Sequence, residues 1–267
     1  MVAKFHTLKS LVTDLTDLGI QEGDGLFVHA SMKSVGSVVG GPRTVIEALQ
    51  QVVGENGLVG MPGFSADAYF PAYLVRSALS QDQIAEIENS VLGFDIAKSP
   101  TSGMGVIAEM FRTWPGTKRS SHPTVSICLN GLDANRLVEA HSLAWATGEQ
   151  TPLGKIRHRQ SMKILLIGVG WNRCSALHTA ETLSPHKRIK TRRFKYGSMD
   201  GAWIETPDVA DDMNRLFPAV GSAFEDTGAV SNGKFGDALC QLCGFQALVE
   251  FASGWIDRVN KQSGETR

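Results

Sequence analysis

An unbroken apolar run at residues 164–167 leads directly into two glycines and a polar turn, and this order constrains the fold more than any other stretch. Four apolar residues bounded by a turn signal are typical of a strand that is buried on both faces of a sheet. The turn Gly168-Val169-Gly170 is followed by residues 174–183, which have the composition of a helix start. A buried strand that passes through a tight loop into a helix is the building unit of an α/β domain.

The first sixty residues repeat this alternation of apolar strands and amphipathic helices. The sequence predicts a helix at 8–18, a strand at 26–28 that ends at His29, a loop at 30–41, a helix at 42–53 and a strand at 58–61. Pro42 suits the first turn of its helix, and Gly54 suits the end. The chain is therefore predicted to belong to the α/β class.

The remaining chain contains one long irregular stretch between regular elements. Residues 63–102 are aromatic and then polar, and we interpret them as an excursion over the sheet edge that walls a substrate cleft. After it the sequence predicts a helix at 103–114, a strand at 125–129, a helix at 132–141, an exposed strand at 192–196 and a last helix at 245–259. Residues 1–267 contain no internal repeat and no clear linker, so a single domain is predicted.

Composition restricts the class of function. Of the 267 residues 42% are hydrophobic, and the formal net charge is −1, which gives no sign of a nucleic-acid partner. No apolar run approaches the length of a membrane span, and the first residues lack a signal-peptide core, so no membrane partner and a cytoplasmic location are expected. Cys240 and Cys243 have the spacing of a redox or metal motif, but their apolar neighbours favour a structural role.

His178 and Glu181 lie three residues apart at the start of the predicted helix, and this spacing places them on one helical face. A carboxylate beside an imidazole holds one tautomer, which leaves the other ring nitrogen able to accept a proton. This pair is thus a candidate general base with its orienting group. Two alternatives stay open: an ordinary surface pair on a helix, or two ligands of a metal site that would need distant residues such as His29 or His122.

The loop at residues 31–41 joins a strand to a helix start and is rich in hydroxyls and glycines. Such loops bind phosphate groups, and Lys33 adds a cation, although a plain glycine-rich connection is the alternative. The basic and serine-rich stretch at residues 118–121 could form a second wall of the same anion site. A dinucleotide fingerprint is disfavoured because Arg173 occupies the position of its third glycine, and neither a P-loop nor a GxSxG elbow occurs.

Four motifs, in this order, resemble the aminoglycoside 3-N-acetyltransferase family, the antibiotic acetyltransferases that are not of the GNAT type. They are residues 28–36 with Gly40-Gly41, residues 119–123 (Arg-Ser-Ser-His-Pro), residues 151–153 (Thr-Pro-Leu) and residues 177–181 (Leu-His-Thr-Ala-Glu). The similarity extends over most of the chain. It implies a three-layer α/β/α fold with a central mixed sheet, and a monomer or a homodimer.

The resemblance also implies the reaction and its residues. The expected activity is acetyl-CoA-dependent N-acetylation of the 3-amino group on the 2-deoxystreptamine ring of aminoglycoside antibiotics, which confers resistance. His178 would be the general base and Glu181 its orienting partner, with no metal involved. The residues expected to hold coenzyme A are Ser31, Met32, Lys33, Ser34, Val35, Gly36, Arg119, Ser120 and His122.

An aminoglycoside is a polycation, so its binding site is expected to be acidic. The sequence reverses sign to strongly acidic between residues 200 and 226, and Asp67 lies in the earlier excursion. The residues expected to contact the acceptor are Asp67, Tyr69, Asp211, Asp212 and Glu225. Because residues 64–95 depart from the commoner members of the family, an acetyltransferase for another small amine metabolite is the alternative.

Overall fold

The structure, a computed structural model, describes residues 4–210 and 213–263. The strands are β1 (Gly25–Ala30), β2 (Leu58–Pro62), β3 (Lys118–Arg119), β4 (Ile127–Gly131), β5 (Met162–Ile167), β6 (Ile189–Tyr196), β7 (Ala202–Val209), β8 (Val230–Phe235) and β9 (Ala238–Gly244). The helices are α1 (Leu8–Asp17), α2 (Met32–Val35), α3 (Pro42–Val53), α4 (Gln81–Ser90), α5 (Gly105–Arg112), α6 (Ala134–Val138), α7 (Pro152–Ile156), α8 (Ala176–Leu183), α9 (Phe217–Glu225) and α10 (Phe245–Ser263).

A mixed sheet of seven strands, in the order β3-β4-β2-β1-β5-β9-β8, organises these elements. The central strand β1 pairs in parallel with β2 on one side and with β5 on the other. The outer strands join antiparallel to their neighbours. Because these three central strands are parallel and helices cover both faces of the sheet, the sequences of β1 and β5 are mostly apolar.

Alternation along the strands separates two hydrophobic cores. Leu26 and Val28 of β1 point into the core beneath α1, α3 and α5, whereas Phe27 between them points into the core beneath α8, α9 and α10. All three side chains are almost fully buried, and burial of each such side chain stabilises the fold by roughly 1.5–3 kcal/mol. The predicted three-layer α/β/α fold with a central mixed sheet is confirmed.

Several element boundaries differ from those predicted. The strand predicted at 125–129 is β4, which begins only at Ile127, because the backbone N–H groups of Thr124 and Val125 donate to the ring of His122 instead of to a strand. The helix predicted at 132–141 shortens to α6. It is preceded by Asp133 in the left-handed region, and His141 beyond its end donates to the Ala146 carbonyl.

The antiparallel ribbon of β6 and β7 lies outside the main sheet and is tied to the excursion at 63–102 through α4. Lys195 donates from Nζ to three carbonyls at the end of α4, and the Arg193 guanidinium makes two hydrogen bonds to Glu88 at 2.8 and 3.0 Å. Lys195 is 2% exposed, so the expectation of an exposed strand at 192–196 is wrong for this residue. A buried ammonium group at a helix C-terminus is favourable because the carbonyl ends are negative.

Gly221 allows α9 to lie directly on the indole of Trp171. A Cβ atom at Gly221 would stand 2.0 Å from Cγ of Trp171, which no side-chain contact tolerates. We predict that Gly221→Ala lowers the free energy of unfolding by about 1–3 kcal/mol because the ring must shift. Gly254→Ala is the matched control: it lies on α10 with only Arg258 Nη1 within 4 Å, at 3.8 Å.

The control should raise the free energy of unfolding by about 0.5–1 kcal/mol through helix propensity. Urea denaturation of the two variants and the parent gives both values. Equal effects of the two substitutions would contradict the packing of α9 on Trp171.

Candidate active site

His178 and Glu181 form a buried hydrogen-bonded pair on α8. The distance from His178 Nδ1 to Glu181 Oε2 is 2.7 Å, and the two residues are 8% and 3% exposed. The ring of Phe217 stands edge-on to the imidazole, with 4.8 Å between ring centroids. The predicted pairing on one helical face is therefore present in the structure. The alternative of a surface pair is wrong, because both residues are buried.

Helix α8 is positioned by apolar packing on one side and by the strand β5 on the other. A 3-10 turn at Trp171–Arg173 connects the end of β5 to α8. Ala176, Leu177 and Ala180 are fully buried against the core shared with α10. The helix cannot rotate without exposing these residues, so the direction of the His178 side chain is fixed by the core.

A cleft of about 700 Å³ opens at the end of the sheet where the carboxyl ends of β1 and β5 meet, and we call it the main cleft. Its walls include the end of β1 with the following turn, the start of α5, part of the 63–102 excursion, and His178. Crevices at this edge of an open α/β sheet are the usual location of ligand sites. The volume lies within the range of small-molecule pockets.

His29 lines the main cleft beside this pair, and the sequence analysis considered it only as a possible metal ligand. Its Nε2 accepts a hydrogen bond from the Ser175 backbone N–H at 3.2 Å, just before α8 begins. Burial, assisted by the nearby His178, lowers the pKa of His29 to about 3. His29 is therefore neutral at physiological pH. Its position at the C-terminal end of a predicted central strand was the signal that could have drawn attention to it.

The residues 31–36 divide into two groups. Ser31, Met32 and Lys33 line the main cleft. The hydroxyl of Ser34 donates to the Gly168 carbonyl at 3.1 Å, and Val35 is fully buried in the core. At Gly36 the backbone has a φ of 89°, in the left-handed region that favours glycine, and a Cβ there would collide with Asp237. The second group therefore shapes the turn that presents the first.

Arg119, Ser120 and His122 do not line the main cleft. The Arg119 guanidinium donates to Ser126 Oγ at 2.9 Å and to the Ser99 and Gly63 carbonyls at 2.6 and 2.7 Å. Ser120 and His122 are fully buried. The polar atoms of these three side chains bond to protein groups, and their role in holding coenzyme A stays a prediction.

Ser120, His122 and His141 belong to a buried hydrogen-bond network. The Ser120 hydroxyl lies 2.8 Å from His141 Nδ1, and His141 Nε2 lies 2.8 Å from the Ala146 carbonyl, to which it donates. His122 accepts two backbone N–H groups at Nδ1, and its Nε2 donates to the Leu143 carbonyl at 3.3 Å. The His122 ring fits these partners only in its neutral form, because its Nδ1 must accept. Burial lowers the pKa of His122 to about 4 and that of His141 to about 3.

The residues expected to contact the acceptor are found in different places. Tyr69 lines the main cleft, while Asp67 is half-buried and lies outside its lining. Asp211 and Asp212 lie outside the described residues. Glu225 accepts from the Trp171 indole N–H and from Gln241 Nε2, so it supports the packing of α9 and is not part of the main cleft. A contact between Glu225 and the acceptor stays a prediction.

Arg192 is a residue of the main cleft that the sequence analysis did not select. Its Nη1 donates to the Tyr69 hydroxyl at 3.0 Å, and its Nε donates to Asp208 on the neighbouring strand β7. Asp208 is 1% exposed, so this pair crosses the ribbon below the surface. Lys33 and Arg173 are exposed cations at the edge of the cleft. Among the described lining residues there are three cations and no carboxylate.

The chemistry available to the main cleft is that of an acid–base pair without a thiolate. All four cysteines are free and buried, and burial raises the pKa of Cys174, which lies beside α8, to about 12. Within residues 4–210 and 213–263 no group of three histidine, cysteine or acidic side chains could hold a metal ion.

No helix in the described chain is long and apolar enough to cross a membrane.

Comparison with known proteins identifies the family to which this fold and cleft belong. The profile of the family described as "Aminoglycoside 3-N-acetyltransferase" matches residues 27–257. The chain belongs to this family, and its enzyme class is that of an acyltransferase.

Two curated relatives match nearly the whole chain. The SPbeta prophage-derived aminoglycoside N(3')-acetyltransferase-like protein YokD of Bacillus subtilis (strain 168) is 34% identical, covering 94% of this chain and 92% of its own. An aminoglycoside N(3)-acetyltransferase III of Salmonella sp is 32% identical, covering 95% and 92%.

Solved structures agree in fold. The crystal structure of YokD superposes with a TM-score of 0.86 at 33% identity, covering 95% of this chain and 99% of that one. The structure of AAC-IIIb described as binary with CoASH gives a TM-score of 0.83 at 29% identity, covering 96% and 97%.

Three histidines whose pKa values are lowered by burial make stability depend on pH. Below pH 6.5 the unfolded chain binds protons at His29, His122 and His141, whereas the folded chain does not until the pH approaches 4 or 3. Each therefore contributes stability that is present above about pH 6.5 and is lost as the pH falls, with a limiting slope of about 1.4 kcal/mol per unit well below pH 6.5. We predict that His141→Gln removes one such contribution.

In urea denaturation, the fall in the free energy of unfolding from pH 7 to pH 5 should be smaller in the variant than in the parent by about 2 kcal/mol. His158→Gln, which removes an exposed imidazole, is the control for loss of a histidine in itself. A pH dependence in His141→Gln equal to that of the parent would contradict a His141 that stays neutral in the folded chain.

Proposed function

We propose that this protein transfers the acetyl group of acetyl-CoA to the 3-amino group of the 2-deoxystreptamine ring in aminoglycoside antibiotics. The observation that carries the proposal is the buried His178–Glu181 hydrogen bond, 2.7 Å long, at the wall of a cleft large enough for a small molecule. The relatives support the substrates: one is described with CoASH and another, AAC-VIa at 28% identity, as bound to sisomicin.

Coenzyme A carries anionic phosphates, and the edge of the main cleft offers suitable partners. Lys33 and Arg173 are exposed there, and the Ser31 hydroxyl lies in the lining. The N–H groups of Met32 and Lys33 begin α2, where the first amides of a helix have no partner within the helix. We assign acetyl-CoA binding to Ser31, Met32 and Lys33, with Ser34, Val35 and Gly36 maintaining the turn.

The proposed reaction is direct attack of the acceptor amine on the thioester. With Nδ1–H donating to Glu181, the His178 ring accepts a proton at Nε2 as the new C–N bond forms. The C–S bond then breaks, and the proton passes to the departing thiolate of coenzyme A. No enzyme nucleophile is required. Cys174 could not supply one, because it is fully buried with a raised pKa.

The acceptor's ammonium groups need carboxylates. Asp67 is half-buried near the cleft wall, and Asp211 and Asp212 stand in the sequence between Val209 and Met213, which both line the cleft. We propose these three as acceptor contacts, together with the Tyr69 ring. Attraction between such carboxylates and a polycation extends over about 8 Å at physiological salt.

A second candidate is an acetyltransferase for another small amine. It is favoured by the charge of the described cleft lining, where Lys33, Arg173 and Arg192 occur without a carboxylate. Such a lining suits an amine that carries a single positive charge or an anionic group better than it suits a polycation.

We predict that the protein releases free thiol from acetyl-CoA when kanamycin or gentamicin is present, and that NMR places the new acetyl group on the 3-amino nitrogen. His178→Ala is the control for thiol release by contaminants. No release with a panel of aminoglycosides, together with release with a simple monoamine or an amino acid, would favour the second candidate. No release with any amine would contradict acetyl transfer.

We predict that His178→Ala lowers kcat by roughly two to four orders of magnitude, which is the usual contribution of a positioned base. The Kd for acetyl-CoA, measured by calorimetry, should stay close to that of the parent, because the cofactor contacts lie on other elements. Glu47→Gln is the matched control, since Glu47 is paired to Arg43 on α3 and does not line the cleft. Near-normal turnover in His178→Ala would contradict the assignment.

A further inference from the structure

Acyl transfer develops negative charge on the carbonyl oxygen of the thioester, and that oxygen needs a donor that is already in place. The pair His178–Glu181 serves the amine side of the reaction and leaves the oxygen unassigned. His29 is a polar group that lines the same cleft and that the proposed proton transfer does not use.

The hydrogen bond to Ser175 determines which His29 nitrogen carries the proton. The Ser175 N–H donates to Nε2 at 3.2 Å, so Nε2 holds the lone pair and a neutral ring carries its hydrogen on Nδ1. Nδ1 has no hydrogen-bond partner among the described residues. It is also absent from the set of buried polar atoms without a partner, so it is accessible to solvent. Since His29 lines the main cleft, the accessible Nδ1–H faces it.

The same hydrogen bond fixes His29 relative to the base. Ser175 immediately precedes α8 and stands three residues before His178, so the two imidazoles are held through one backbone segment. The ring of Phe27 packs edge-on against His29, with 5.3 Å between centroids. The two histidines are close enough for the charge of His178 to lower the pKa of His29.

His29 also stays neutral throughout the pH range in which an amine would react. Its pKa of about 3 results mainly from burial, and the residue is 7% exposed. A neutral imidazole is able to polarise a carbonyl by hydrogen bonding, and it does not give up its proton to the oxygen. This distinguishes it from His178, whose partner is a carboxylate.

We propose that His29 donates its Nδ1–H to the carbonyl oxygen of the acetyl thioester and stabilises the tetrahedral intermediate. As the amine nitrogen bonds to the carbonyl carbon, the π electrons move to the oxygen, which accepts the hydrogen bond. When the C–S bond breaks the electrons return, and His29 keeps its proton throughout. The proposal rests on the proposed acetyl transfer, because it needs a thioester in the main cleft.

Two substitutions separate this role from a structural one. Asn at position 29 places its Nδ2 as far along the side chain as Nδ1 of histidine, so His29→Asn keeps a donor for the cleft and loses the acceptor for Ser175. Gln places its Oε1 as far as Nε2, so His29→Gln keeps the acceptor and loses the donor. We expect His29→Gln to lower kcat by about 10²–10³-fold with little change in KM for acetyl-CoA.

His29→Asn should retain kcat within about tenfold of the parent, since one donor is restored. Folding is checked by the thermal unfolding of both variants. The reverse order, with Asn impaired and Gln active, would show that His29 acts only by supporting Ser175 and would overturn the proposal. Equal activities in both variants would overturn it as well.

A second measurement is independent of the acceptor. Infrared difference spectra of acetyl-CoA labelled with ¹³C at the carbonyl should show the thioester band at lower frequency when bound to the parent and to His29→Asn. In His29→Gln the band should return toward its position in solution. An unshifted band in the parent overturns the donor role even if turnover is normal. Failure of the parent to bind acetyl-CoA contradicts the proposed function itself.

Discussion

The parallel pairing of β1 with β5 is the interaction on which the site depends. Six residue pairs in register, from Gly25 with Met162 to Ala30 with Ile167, bring the ends of two strands to one edge of the sheet. The Ser31 N–H continues the pairing to the Ile167 carbonyl at 2.9 Å. A slip of one residue would turn His29 to the opposite face and bury a different set of side chains.

The close approach of the two loops beyond these strands has a steric requirement. Gly168 has a φ of 63°, and a Cβ atom there would stand 2.2 Å from the Cβ of Ser34. Ser34 in turn donates to the Gly168 carbonyl, which holds the turn after β1 against the turn after β5. The turn at residues 31–36 and the loop that leads to α8 are thus held together at one glycine, while His29 bonds to the backbone at the start of α8.

Periodicity predicted much of this arrangement, because it depends on local patterns. The apolar runs of β1 and β5 and the spacing of His178 and Glu181 were visible in the sequence, and the structure contains all of them. Charge gives no information about distant partners, so the sequence did not show that Arg119 donates to carbonyls 20 and 56 residues away or that Glu225 accepts from an indole. The sequence analysis likewise did not predict the hydrogen bond of His29, because its partner Ser175 lies 146 residues away.

The central claim is that the cleft transfers an acetyl group directly from coenzyme A to an amine, with His178 as the base and no covalent enzyme intermediate. The most direct measurement is the intact mass of the protein after incubation with acetyl-CoA alone, followed by addition of the acceptor. The account predicts an unchanged protein mass and release of free thiol only after the amine is added. A protein that gains one acetyl group and passes it to the amine after removal of acetyl-CoA would contradict the account.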